Sequence, residues 1–226
     1  MCLNFAVEEN VKYFLQKIPD NVKVIAVTKT VDSDRIRIAV KSGIKDIGEN
    51  KVQEALSKFE ELKDLNIKWH LIGTLQSNKA KKAVEIFDLI HSVDSFKLAT
   101  VLNKEAEKLS KIQDILLQVN VSKEETKSGF FVEDLFNALP ELAELKNLSI
   151  KGLMTIGPDT ENEEFIKNCF SDLREIKEKI NSGKYLKREI NILSMGMTND
   201  YEIAITEGSN MIRLGRAIFG ERKVIH

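Results

Sequence analysis

Val24-Ile25-Ala26-Val27-Thr28-Lys29-Thr30 is a short apolar run that ends on a lysine between two threonines, and the residues just after it decide the fold. An open doubly wound sheet needs a glycine fingerprint after an early strand, so that a phosphate can approach a helix N-terminus closely. None stands here, and neither G-x-G-x-x-G nor G-x-x-x-x-G-K-[ST] occurs anywhere in the chain. Working outward, apolar runs of strand length recur at 22–28, 44–48, 68–72, 89–93, 115–121, 148–154, 189–193 and 211–214. Helical patterns lie between them: Val52, Ala55, Leu56, Phe59 and Leu62 form one apolar stripe, Leu98, Val101, Leu102 and Leu109 another, and Phe165, Cys169, Phe170, Leu173, Ile176 and Ile180 a third. Strands alternating with helices in this way predict an α/β chain folded as a single (β/α)8 TIM barrel. An extra amphipathic helix, carrying Val7, Val11, Phe14, Leu15 and Ile18 and stopping at Pro19, is expected to plug or flank the N-terminal end of that barrel.

Composition narrows the function. The chain has 226 residues, of which 42% are hydrophobic and 31% charged, which excludes a disordered chain. No apolar run reaches membrane-spanning length, and Glu8, Glu9 and Lys12 interrupt the first residues too early for a signal-peptide core. Thirty-four basic residues against 35 acidic ones leave a net charge of −1, so a general binder of nucleic acid or anionic membrane is disfavoured. Cys2 and Cys169 are the only cysteines, too few for a disulfide framework, and the three histidines have no metal-ligand spacing, so no metal is expected. These features fit a cytoplasmic protein. No linker divides the chain, so residues 1–226 are expected to form one domain, with 1–20 packed on the barrel as the extra helix. A monomer is expected, with a dimer as the alternative.

Barrels of this type place their sites at the C-terminal ends of the strands, and those ends are polar here. Lys29 shares a strand face with Ile25 and Val27; if that face is the barrel interior, desolvation favours the free amine that attacks carbonyls. The competing role is a lysine that reaches solvent from a strand end. Gln118 and Asn120 share a face of the fifth strand and either line a polar cavity or bond each other and nearby backbone. The loops after strands seven and eight read Ser194-Met195-Gly196-Met197 and Gly215-Arg216-Ala217-Ile218-Phe219-Gly220. Ser194, Gly196, Gly215 and Arg216 would supply a hydroxyl, close backbone approach and a cation where such barrels hold phosphate, or they form two ordinary turns. Arg213, opposite in face to Ile212 and Leu214, would aim at the barrel centre; without a ligand, its partner would be Glu49 or Glu207. An interior lysine, a phosphate site and a guanidinium between them describe a pocket for a phosphorylated aldehyde such as pyridoxal 5′-phosphate.

The chain resembles the pyridoxal phosphate homeostasis proteins, single-barrel relatives of the alanine racemase N-terminal domain. The likeness rests on 26–30 (AVTKT), 48–54 (GENKVQE), 69–79 (WHLIGTLQSNK), 127–129 (KSG), 152–154 (GLM), 194–197 (SMGM) and 212–220 (IRLGRAIFG), in that order. It implies that Lys29 forms the internal aldimine, that Asn50 lies beside the cofactor ring, and that Arg213 faces the pyridine nitrogen. It also implies that Ser194, Gly215 and Arg216 surround the phosphate. Arg216 departs from the pattern, since family members usually carry Thr or Ser there.

An arginine only donates hydrogen bonds, so Arg213 would favour an unprotonated pyridine ring, a poor electron sink. The expectation is therefore a non-enzymatic protein that holds pyridoxal 5′-phosphate on Lys29 and buffers or delivers it, with pyridoxal phosphate-dependent apoenzymes as clients. Residual amino-acid racemisation and a Schiff-base aldolase are the alternatives. Tyr201 is the tyrosine that could serve as acid or base, although packing between helices is the simpler role. His70 is expected to make a core hydrogen bond or approach the cofactor, His91 and His226 to be structural or exposed, and Lys127 to be an exposed loop lysine.

Overall fold

In the computed structural model, residues 2–122, 124 and 127–221 are described, with side chains from residue 6 onward. The strands are β1 (Lys23–Val27), β2 (Asp46–Glu49), β3 (Lys68–Leu71), β4 (Leu89–Val93), β5 (Gln113–Gln118), β6 (Leu148–Met154), β7 (Ile192–Ser194) and β8 (Met211–Leu214). All pair in parallel in chain order, and β8 returns to β1 with Ile25 opposite Arg213, closing a barrel. The helices are α1 (Cys2–Lys17), α2 (Ser33–Lys41), α3 (Val52–Glu61), α4 (Ala80–Ile86), α5 (Phe96–Lys108), α6 (Val132–Leu142), α7 (Glu163–Ser182), α8 (Tyr201–Thr206) and α9 (Arg216–Phe219). No helix among the described residues is long and apolar enough to cross a membrane. The (β/α)8 barrel read from the alternation is the observed fold.

The strand period of two sorts the side chains into two cores. Val24, Ala26, Ile47, Leu71, Ile90, Ile115, Leu117, Leu193, Ile212 and Leu214 pack outward on the helices. Ile25, Leu89, Leu116, Met154 and Met211 form a separate cluster inside the barrel. Lys29 continues the inward series of Ile25 and Val27, and Arg213 stands two residues beyond Met211 on the same inward face. Both therefore sit above the apolar plug, toward the C-terminal ends of the strands.

Two strand ends shift by three residues from the sequence reading, each for a visible reason. β7 starts at Ile192 rather than 189 because the Asn181 side chain takes both the N–H and the C=O of Ile190, at 2.9 Å each, before the ladder can. β5 ends at Gln118 rather than 121 because Val119 and Asn120 turn to pair with Phe130. The N-terminal helix flanks the barrel. It packs on α2 and α9, Asn10 donates to the Ile218 carbonyl at 3.1 Å, and the Phe14 ring meets that of Tyr201 edge-on at 5.8 Å.

Candidate functional site

A buried ionic platform holds the turn that carries Lys29. Thr28 Oγ1 donates to Glu49 Oε1 at 2.6 Å, and Lys58 Nζ donates to the Thr28 carbonyl, Glu49 Oε1 and Glu54 Oε1 at 2.7, 2.8 and 2.8 Å. The Thr30 N–H, at a residue held in the left-handed region with φ 63°, donates to Glu54 Oε1. Both neighbours of Lys29 are thus fixed, while Lys29 itself is half-buried. Glu49 is fully buried and its Oε2 has no hydrogen-bond partner among the described residues. Burial pushes its carboxyl above the usual range, against the opposing pull of Lys58 and Thr28.

Arg213 is buried and lies on the strand next to the one that leads to Lys29. Its Nη1 donates to the Ser194 carbonyl and to Ser194 Oγ, both at 2.8 Å, and its Nη2 donates to the Thr155 carbonyl at 2.9 Å. Every one of these acceptors is neutral. Glu49 and Glu207, the carboxylates expected to partner it, are taken by Lys58 at 2.8 Å and Arg174 at 2.7 Å. Burial lowers the guanidinium from its ordinary range to about 10, with the charge of Asp200 opposing, so it stays protonated near neutrality.

Behind Arg213 the barrel axis is polar. His91 Nδ1 lies 2.9 Å from Ser194 Oγ, His91 Nε2 lies 2.9 Å from His70 Nδ1, and His70 Nε2 lies 2.8 Å from Asp46 Oδ1. Lys23 donates to the same Asp46 oxygen at 3.1 Å. His70 makes the core hydrogen bonds that a strand position suggested, and His91 takes the structural of its two expected roles, as a fully buried link to Ser194. His226 lies outside the described residues. Sequence reasoning missed Asp46 and Lys58 altogether and did not join His70 to His91. The available signal was polar residues at inward-facing positions of β2, β3 and β4, where an apolar plug would otherwise run.

The remaining expected site residues come to the same C-terminal face. Asn50 follows β2 directly and is half-buried; a Cβ on Gly73 would fall 2.3 Å from the Asn50 carbonyl oxygen, so that glycine lets the two loops close and fixes Asn50. Gly196 has φ +95°, a conformation that favours glycine, and its carbonyl accepts from Arg213 N–H at 3.0 Å. Gly215 is the residue that precedes α9, which has no side-chain cap. The Arg216 side chain is half exposed, with Nη1 3.9 Å from Glu221 Oε1.

Ser194 departs from simple phosphate contact: it is fully buried and its hydroxyl lies between His91 and Arg213. Gln118 and Asn120 donate to the backbone carbonyls of Ser128, Glu124 and Lys127, so they shape the loop after β5. Lys127 is tied down, with Nζ 2.6 Å from Glu124 and 3.0 Å from the Gly157 carbonyl, where an exposed lysine was expected. Tyr201 packs against α1 and donates to Glu202 at 2.9 Å, and burial raises its hydroxyl above the ordinary tyrosine range.

Comparison with known proteins gives a consistent picture. The family model described as "Alanine racemase, N-terminal domain" matches residues 5–223. The pyridoxal phosphate homeostasis protein of Aquifex aeolicus is 44% identical over 205 residues, covering 89% of this chain and 87% of that protein. The protein of the same name from Synechocystis is 45% identical over 206 residues, covering 91% and 94%. Among solved structures, PipY of Synechococcus elongatus with pyridoxal phosphate bound matches with a TM-score of 0.88 and 39% identity, covering 95% of this chain and all of that one.

Proposed function

The chain belongs to the pyridoxal phosphate homeostasis protein family, within the wider family of the alanine racemase N-terminal domain, and from that premise we propose that it binds and buffers pyridoxal 5′-phosphate without turning it over. One observation carries the reading: a buried guanidinium whose hydrogen-bond acceptors among the described residues are all neutral stands on the strand paired with the one that leads to Lys29. A ring nitrogen without a proton is the acceptor such a group lacks.

The residues present fit the cofactor. A Cβ on Gly215 would meet Val27 Cβ at an ordinary 3.4 Å, so the packing of the protein does not itself require glycine there. A glycine at that turn would let a group come close to the backbone after β8. Lys29 would hold the cofactor as a Schiff base, its Nζ joining the aldehyde carbon with loss of water. Asn50 would flank the ring, Gly196 and Gly215 would let the phosphate close in, and Ser194 would act through Arg213.

Bound pyridoxal phosphate supplies an electrophilic carbon and an electron-withdrawing ring. Arg213 can only donate, so it disfavours ring protonation and the carbanion chemistry that depends on it. Tyr201, turned toward Glu202 and α1, does not supply the acid or base of a racemase. The role proposed is that of a cytoplasmic, monomeric single-domain carrier whose clients are pyridoxal phosphate-dependent apoenzymes.

The visible spectrum of the chain with pyridoxal phosphate tests this. A band removed by borohydride, with the label on the peptide containing Lys29, is expected, and added L-alanine should not exchange its α-proton with deuterated solvent. The absence of a reducible band would sink the cofactor reading, and α-proton exchange would turn the carrier into an enzyme. Arg216→Ala should weaken pyridoxal phosphate binding by only about two- to fivefold, an effect that fades in high salt because the side chain is half exposed. Equilibrium dialysis at two salt concentrations measures it.

A further inference from the structure

The polar axis runs from one mouth of the barrel to the other. Asp46 and His70 line an open cavity of about 630 Å³ at the N-terminal ends of the strands, together with Lys23, Lys45, Lys68 and Lys151. Arg213 and Ser194 end the same chain of hydrogen bonds near the opposite face.

The two end groups settle the direction of every proton between them. Arginine only donates and an ionised carboxylate only accepts. Burial pushes the Asp46 carboxyl up, but His70 and Lys23 outweigh it and hold the group below its ordinary 3.8, so it is ionised near neutrality. Arg213 therefore donates to Ser194, whose hydroxyl donates to His91 Nδ1. His91 Nε2–H donates to His70 Nδ1, and His70 Nε2–H donates to Asp46. Each inner member gives one proton and takes one.

The alternative order fails on the same geometry. A doubly protonated His70 would donate to His91 as well, and His91 would then carry its proton on Nδ1, pointing at Ser194. Ser194 Oγ would receive from both His91 and Arg213, leaving its own proton without an acceptor in a fully buried position. Burial, with His70 and Arg213 close by, also keeps His91 neutral.

We propose that Asp46, His70 and His91 are positioning residues for the cofactor site. Through this one-way chain they commit the Ser194 hydroxyl to the interior and lock Arg213 in the orientation it presents to the cofactor ring. The chain ends at Asp46, on β2, which lines the cavity at the opposite, N-terminal mouth. The order of protons stands on the apo-protein alone, while its effect on the cofactor rests on the pyridoxal phosphate reading.

Imidazole nitrogen correlations by NMR on the 15N-labelled apo-protein decide the order. His91 is expected to carry its proton on Nε2, facing His70; His91 protonated on Nδ1 would overturn the proposal. In His70→Leu, the His91 Nε2–H loses its acceptor inside the barrel, so His91 is no longer held against Ser194. Pyridoxal phosphate affinity should then fall about tenfold, as for other outer partners of a ligand site, with Lys29 still labelled by borohydride. His70→Gln retains an amide oxygen for His91 and an amide hydrogen for Asp46, and should restore most of the affinity. Unchanged affinity in a folded His70→Leu protein would overturn the proposal. Failure of the native chain to take up pyridoxal phosphate would sink the proposed function instead, and the apo-protein tautomers would still decide the order of protons.

Discussion

Lys29→Ala is expected to abolish the borohydride-reducible band and to weaken retention of pyridoxal phosphate by about a hundredfold or more, which is roughly 2.7 kcal/mol of binding free energy. The loss is large because the phosphate and ring contacts proposed for Gly196, Gly215 and Arg213 are reversible, whereas Lys29 would add a covalent bond. Folding should change by no more than about 1 kcal/mol, since the side chain is half-buried at a strand end and the turn around it is held from both sides. Thermal melting of the apo-protein beside gel filtration of the loaded protein separates the two effects. A variant that melts normally and still yields a reducible band would remove Lys29 from the site and turn attention to another amine.

The barrel was legible because strand and helix impose different periods on the same apolar alphabet, and eight alternations in 226 residues leave few arrangements. Lys29 and Arg213 were legible by the same rule, since alternation alone puts them inside at the C-terminal ends of β1 and β8. The partners of Arg213 were not. Glu49 looked available, yet Lys58 claims it from nearly two turns into α3, and Glu207 is claimed by Arg174 from α7. Such pairings depend on how helices lean over the barrel, which a single sequence does not encode in its spacing. The axial chain is the extreme case: His91 and Ser194 lie 103 residues apart and meet only because β4 and β7 face each other across a closed sheet. Ser194 shows the consequence, because the loop motif suggested a hydroxyl for phosphate while the closed barrel spends that hydroxyl inside.

Lys58→Met should be the most destabilising conservative change in the platform beneath Lys29. Its ammonium is nine-tenths buried and makes three hydrogen bonds, two of them to carboxylates. Removing it strands Glu49, fully buried with Oε2 already unpartnered, and an uncompensated buried charge costs about 3–5 kcal/mol. The sign of the pH dependence comes from Glu49, whose folded-state pKa already lies above the unfolded value and rises further without Lys58. The folded variant then binds more protons than its unfolded state in the window above 4.5, so its stability falls as pH rises through the folded pKa and recovers on acidification. Urea unfolding of both proteins between pH 5 and 8 should show the gap narrowing toward pH 5. Glu49→Leu combined with Lys58→Met should regain most of the loss, as replacement of a buried pair by apolar residues commonly does. The double variant would still lack the bonds to the Thr28 carbonyl and hydroxyl that hold the residue before Lys29. Its stability should therefore return while its pyridoxal phosphate affinity does not, which separates the platform's contribution to the fold from its contribution to the site.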